Sequence, residues 1–354
     1  MSQRKLFSVQ GLPVFQNKMF ADSGAALACP KGELCLVQDD NTGLIFNAAF
    51  DASLLHYDAD HQNEQACSSL FRQHLDTVKA IIHRHFADKN LLEVGCGKGY
   101  FLEYLQQAGY HITGIDPAYQ GDNPNIIKAC FTADSGLAAD ALILRHVLEH
   151  IENPIEFLST LAQANGGKGQ IYIEVPCFDW IIEHRAWFDI FYEHVNYFRL
   201  ADFQRLFGKV YESGHVFGGQ YLYVVADLAS LQIPVCTAQD RVTFPNDFLV
   251  DIDRLAVLAK TKRNAIWGGA SKGVIFALYM QQAGVTIDWV IDINTAKQHK
   301  FIAGSGLKVS TPDEAITQLQ QDAIIFVMNS NYLPEIIAAT HNQFTYLRVD
   351  HREF

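Results

Sequence analysis

LLEVGCGKGYFLEYLQQAGYHITGID, residues 91–116, is the stretch whose reading decides the fold. Leu91–Val94 with its neighbours is a short apolar run, the composition of a strand buried in a parallel sheet. The turn Gly95-Cys96-Gly97-Lys98-Gly99 follows, then FLEYLQQAG (101–109) as a helix closed by Gly109, then HITGID (111–116) as a second strand ending on Asp116. Glycines at such a turn let the chain reverse tightly and let a ligand come against the backbone. The first amides of the helix then face that ligand. In an open α/β sheet the ligand crevice lies at the carboxyl ends of the strands, where Asp116 can accept hydrogen bonds from both hydroxyls of a ribose. The glycines are spaced G-x-G-x-G, not the G-x-G-x-x-G that seats a pyrophosphate, and Glu93 stands just before them. A carboxylate there suits a ligand with a cationic amino or sulfonium group better than a diphosphate.

Outward from this unit the alternation continues. Leu70, Phe71, Leu75, Val78, Ile81 and Ile82 give a helical period over 66–86. ALILRHV (141–147) reads as a strand, PIEFLSTLAQA (154–164) as a helix with Pro154 in its first turn, and GQIYIEVP (169–176) as a strand. KVYESGHVFG and YLYVVAD read as an antiparallel pair at the sheet edge. A second strand–glycine-turn–helix unit, NAIWGGASKGVIFALYMQQAG, opens another alternation, with Asp292 ending its next strand. The fold class is therefore α/β: a doubly wound Rossmann-like domain, a smaller C-terminal α/β domain and an irregular N-terminal arm. The boundaries read as an arm over 1–65, a first domain over 66–228, a linker over 229–245 that holds two prolines, and a second domain over 246–354. Within the arm, ELCLVQ and GLIFNAA are placed to pair as a hairpin.

Composition narrows the function. The 354 residues suit two domains at about 150 residues each. They are 49% hydrophobic and 19% charged, enough for a sizeable core. The net charge of −12 and the absence of Lys/Arg runs argue against a nucleic-acid substrate. No run of 18 apolar residues is present and the N-terminus does not read as a signal peptide, so the reading is a cytoplasmic protein. The seven cysteines contain no C-x-x-C pair, and His56, His61, His74, His83 and His85 lack the spacing of a zinc motif, so no metal is expected.

Residues 91–116 together with LRHVLEHIENP resemble the class I S-adenosylmethionine-dependent methyltransferases. The resemblance implies S-adenosylmethionine as cofactor, with Glu93, Gly95 and Gly97 near its methionine moiety, Asp116 and Pro117 near its ribose, Phe131 beside the adenine, and Arg145 and His146 lining the pocket. EVPCFDWIIEHRAWFDIFYEHVNYF, IWGGASKGV and VIDINTAKQHKFIAGSG resemble the deoxysugar (NDP-hexose) C-methyltransferases. That likeness implies His194 as general base, Glu193 as a ligand of the sugar, and a small-molecule substrate, a nucleotide-linked sugar. The cysteine pairs that hold zinc in that family are absent here, and Phe191-Tyr192 stands where it has Tyr-His.

Tyr192 and Tyr197 flank the Glu-His pair and are candidates for substrate contact. Lys272 is placed to neutralise a phosphate. Carbon methylation needs a base to form an enolate, whereas oxygen or nitrogen methylation leans on proximity, so the acceptor atom stays open. Two alternatives stay open as well: an NAD-dependent oxidoreductase using the C-terminal turn, and a non-catalytic nucleotide-binding subunit. An oligomer is possible, and no charge pattern or exposed stripe decides it.

Overall fold

A computed structural model of the chain describes residues 2–55, 61, 64 and 66–351. His56, one of the histidines weighed as a metal ligand, lies outside these residues.

The first sheet has seven strands in the order Val210–Val216, Tyr221–Asp227, Gln170–Pro176, Ala141–Arg145, Leu91–Val94, Ile112–Ile115, Ile126–Ile127. Tyr221–Asp227 runs antiparallel to both its neighbours and the remaining pairs are parallel. All four residues of Leu91–Val94 are buried, the environment that a continuous apolar run requires. Tyr100–Gln107 forms the helix after the turn, burying Phe101, Leu102 and Leu105. Ser69–Phe86 forms the preceding helix. Ser68 Oγ accepts from the Phe71 amide at 3.1 Å at its start, and the Glu335 carboxylate accepts from the Leu70 amide at 2.8 Å. A carboxylate at a helix N-terminus satisfies amides that have no partner within the helix.

The arm is more ordered than its sequence suggests. Gln3–Pro13, Lys31–Asp39, Ile45–Asn47 and Asn196–Tyr197 form a four-stranded antiparallel sheet, the last strand coming from the FDIFYEHVNYF region. The expected hairpin is present, with Val37 opposite Phe46. Gln3–Pro13 pairs with Lys31–Asp39 through register shifts at Lys5/Phe7 and Val9/Leu12. Such bulges break the two-residue alternation by which a strand is read in sequence.

The third sheet is wholly parallel, in the order Val309–Ser310, Trp289–Ile291, Asn264–Trp267, Ile324–Val327, Thr345–Arg348. One apolar cluster runs through both α/β units, including Leu92, Trp187 and Phe276, and the Trp187 and Phe276 rings stack at 5.6 Å. A polar bridge joins the carboxyl edges of the two sheets: Gln220 and Asn329 exchange side-chain hydrogen bonds of 2.9 and 2.8 Å. Both side chains are buried, where a mutually satisfied amide pair fixes relative position. No helix among the described residues is long and apolar enough to cross a membrane.

Candidate active site

The first glycine turn is built around Asp116. The Gly97 amide donates to its Oδ2 at 2.8 Å and the Ala118 amide to its Oδ1 at 2.8 Å. Gly95, Gly97 and Gly99 all have positive φ, of 76°, 56° and 83°. A Cβ on Gly95 would lie 2.4 Å from Val147, and one on Gly99 would lie 2.5 Å from Ile126. One on Gly97 would meet nothing within 4 Å, so it is at Gly97 that the backbone opens onto ligand space.

Glu93 sits beneath this turn, 3% exposed. Its Oε2 has no hydrogen-bond partner among the described residues. Burial pushes its carboxyl up to about 7, against the pull of Arg145. A buried oxygen with no donor is placed for a cationic ligand group.

Arg145 is held between Glu174 and an aromatic ring. Its guanidinium lies 4.4 Å over the Phe101 ring and donates to Glu174 Oε1 at 3.2 Å, so it acts on the turn through its charge. Glu174 was not singled out by sequence reasoning, although a lone acid in the strand GQIYIEVP is the signal that marks it. Its Oε1 also meets His74 Nε2 at 3.0 Å and His146 Nε2 at 3.1 Å, and Tyr172 donates to its Oε2 at 2.6 Å. Burial alone would raise the Glu174 carboxyl, but Arg145 and the two histidines outweigh it and hold it well below the usual range. His146 lies in the left-handed region at φ 53°, a strained conformation for a non-glycine residue. Burial disfavours its charge, yet Glu149 and Glu174 raise its imidazole to about 9. Phe131 is half-buried against the core and Pro117 is exposed beside Asp116.

The second constellation departs from expectation in three places. Glu193, expected to meet the sugar, is fully buried and already engaged: its Oε1 accepts from the backbone amides of Gln16 at 2.6 Å and Asn17 at 3.1 Å, and its Oε2 from Asn17 Nδ2 at 3.2 Å. Both candidate tyrosine hydroxyls bond to backbone, Tyr192 to Asp51 and Tyr197 to Phe191. Lys272 Nζ lies 2.9 Å from Asp189 Oδ2 and 2.9 Å from Gln220 Oε1, a contact that joins the two α/β units. Gln16 and Asn17 carry no signal in sequence, since they reach Glu193 across about 176 residues of chain.

His194 lies in the same segment as Glu193. It is 8% exposed, with its ring 5.0 Å from that of His150 and 4.0 Å from that of Phe191. Burial, then His150, His146 and Lys272, hold its imidazole well below the usual range. His150 Nδ1 is bound to the Glu193 carbonyl at 2.8 Å.

A family model described as a methyltransferase domain matches residues 59–210, and one described as a C-methyltransferase C-terminal domain matches residues 248–346. This chain is an S-adenosylmethionine-dependent methyltransferase. Among curated relatives of this methyltransferase, the C-methyltransferase NovU of Streptomyces niveus is 24% identical over 289 residues, covering 70% of this chain and 68% of that protein. A ubiquinone biosynthesis O-methyltransferase of Saccharophagus degradans is 30% identical over a match covering 24% of this chain and 43% of its own. Among solved structures, the plantazolicin methyltransferase BpumL is 24% identical with a TM-score of 0.27, covering 33% of this chain and 51% of that one.

The cofactor of the methyltransferase is S-adenosylmethionine, and the first turn has the groups to receive it. Glu93 offers a buried, unpartnered oxygen to a cationic group, Gly97 offers backbone with space before it, and the Asp116 carboxylate pairs with no cation among the described residues.

Proposed function

We propose that this methyltransferase methylates a carbon of a small molecule, a nucleotide-linked sugar, with His194 taking the proton from that carbon. The observation that carries the reading is the placement of His194: a buried imidazole packed against His150 and Phe191, in the segment that follows Gln170–Pro176, a strand separated from Leu91–Val94 by Ala141–Arg145. When bound, S-adenosylmethionine supplies a methyl group on a positively charged sulfur and leaves as a thioether. Glu93, Gly97 and Asp116 hold it, and Arg145 and His146 act from beside the turn. Glu193 is a positioning residue in this reading. Its carboxylate fastens Gln16 and Asn17, and its carbonyl orients His150. The likeness to NovU over 70% of this chain and the C-methyltransferase match at 248–346 support carbon as the acceptor atom. The division into an arm (1–65), a catalytic domain (66–228), a linker (229–245) and a C-terminal domain (246–354), and a cytoplasmic location, belong to the same proposal.

The test has two stages. The protein loaded with S-adenosylhomocysteine is titrated calorimetrically with UDP-, TDP-, GDP- and CDP-sugars. Binding of one supports the acceptor class, and binding of none removes nucleotide sugars from the proposal. With an acceptor in hand, His194→Ala is expected to abolish turnover while keeping S-adenosylhomocysteine affinity; full activity would refute the base role.

A further inference from the structure

Glu149, His150 and His194 come together at the wall of the same site. Each offers one ligand atom, and the three atoms lie within 4.8 Å of one another. Glu149 is 2% exposed, and neither of its carboxylate oxygens has a hydrogen-bond partner among the described residues. Its nearest cation is His146, with Nδ1 at 3.4 Å. At 3.4 Å that ion pair is longer than an ordinary hydrogen bond, so the buried carboxylate has room for a closer partner. The Glu193 carbonyl on His150 Nδ1, at 2.8 Å, is the contact by which a metal-binding histidine is commonly oriented. None of this was visible as a motif, because His194 lies 44 residues beyond His150 in the chain.

We infer that Glu149, His150 and His194 form a binding site for a divalent cation of the zinc type. Two imidazoles and one carboxylate are a donor set that zinc accepts with a fourth position left open. Metal–ligand bonds of about 2.1 Å in tetrahedral geometry put ligand atoms about 3.4 Å apart. The present spread of up to 4.8 Å therefore has to close by about 1.4 Å at most when the ion binds. His146 also bonds Glu174 at 3.1 Å, so it keeps a partner when the cation takes Glu149. The regulatory consequence rests on the reading of His194 as base: the cation and the acceptor's proton compete for one side chain, which makes the metal-loaded protein an inactive form.

The test uses the full chain, treated with chelator and alkylated at its accessible thiols, since Cys67 and Cys130 are exposed. Zinc chloride is titrated calorimetrically, and cobalt chloride is followed by visible absorption. One ion per chain is expected, with the visible bands of four-coordinate cobalt. Glu149→Gln and His194→Asn should each weaken binding by more than about tenfold. Melting curves taken alongside show that both variants fold. Failure of the unaltered protein to take up one ion, or affinity in either variant equal to that of the unaltered protein, overturns the site. No acceptor is present in these titrations. A negative result here leaves the methyl-transfer reading standing, and a failed sugar titration leaves the cation site standing.

Discussion

At the first glycine turn the Gly97 amide donates to Asp116 Oδ2 at 2.8 Å and the Ala118 amide to Oδ1 at 2.8 Å. At the second, the Gly269 amide donates to Asp292 Oδ2 at 2.8 Å and the Asn294 amide to Oδ1 at 2.8 Å. Strand, turn, helix and acidic residue are thus reproduced almost atom for atom. The surroundings differ. Lys297 Nζ lies 3.1 Å from Asp292 Oδ2, whereas no cation among the described residues pairs with Asp116. A Cβ on Gly97 would meet nothing within 4 Å, whereas one on Gly269 would meet Val309 at 3.1 Å. The Ser271 amide is taken by the Gln16 carbonyl at 2.8 Å, so the arm lies against the second turn. A glycine turn followed by a strand-ending acid therefore specifies a backbone shape; whether a ligand is held depends on what the carboxylate and the nearby amides have left to give.

The comparison can be broken most forcefully by Gly273→Ala. A Cβ there would lie 1.9 Å from the Gly268 carbonyl oxygen, a backbone atom that cannot step aside. The expected cost is about 3 kcal/mol, seen as a melting temperature lower by roughly 5 °C or more. An unchanged melting curve would mean that the second turn is not the packed device described. A smaller effect of another kind is expected from Gly97→Ala. Its φ of 56° costs an alanine about 1 kcal/mol of stability, but the added methyl enters ligand space, so S-adenosylhomocysteine affinity should fall about tenfold. Equal losses of stability and no loss of affinity would place the ligand elsewhere.

The gentlest probe is pH. Glu93 stands near 7 before ligand binds, and a cationic ligand favours its ionised form, so binding releases a proton. Affinity should therefore rise with pH through about 7 and level off above it, by at most about tenfold per unit. Calorimetry across pH 6 to 8, with Glu93→Gln as the flat control, checks the sign. A fall in affinity with rising pH would contradict it.

Local features were legible and distant ones were not. The strand Leu91–Val94, the helix Tyr100–Gln107 ending before Gly109, and Asp116 could all be read because the hydrophobic period and the glycines lie within one short stretch. Tyr192, Tyr197 and Lys272 were assigned to substrate because their chemistry fits one, yet partners such as Asp51 and Gln220, 141 and 52 residues away, had already claimed their polar atoms. Arg145 was legible as a charge near the turn but not in its direction, which Glu174 and Phe101 decide. The arm sheet was obscured by its bulges, and the Glu149–His150–His194 cluster by the fold that joins its parts.

The measurement that tests the account most directly is a calorimetric titration of S-adenosylhomocysteine into the wild-type chain, Asp116→Ala and Asp292→Ala. The account predicts one site per chain in the wild type. Loss of the Asp116 carboxylate should weaken it ten- to a hundredfold, about 1.5–3 kcal/mol, and Asp292→Ala should bind as the wild type does. Two sites in the wild type, or a loss at Asp292 as large as that at Asp116, would contradict the claim that one turn holds the cofactor and the other is closed.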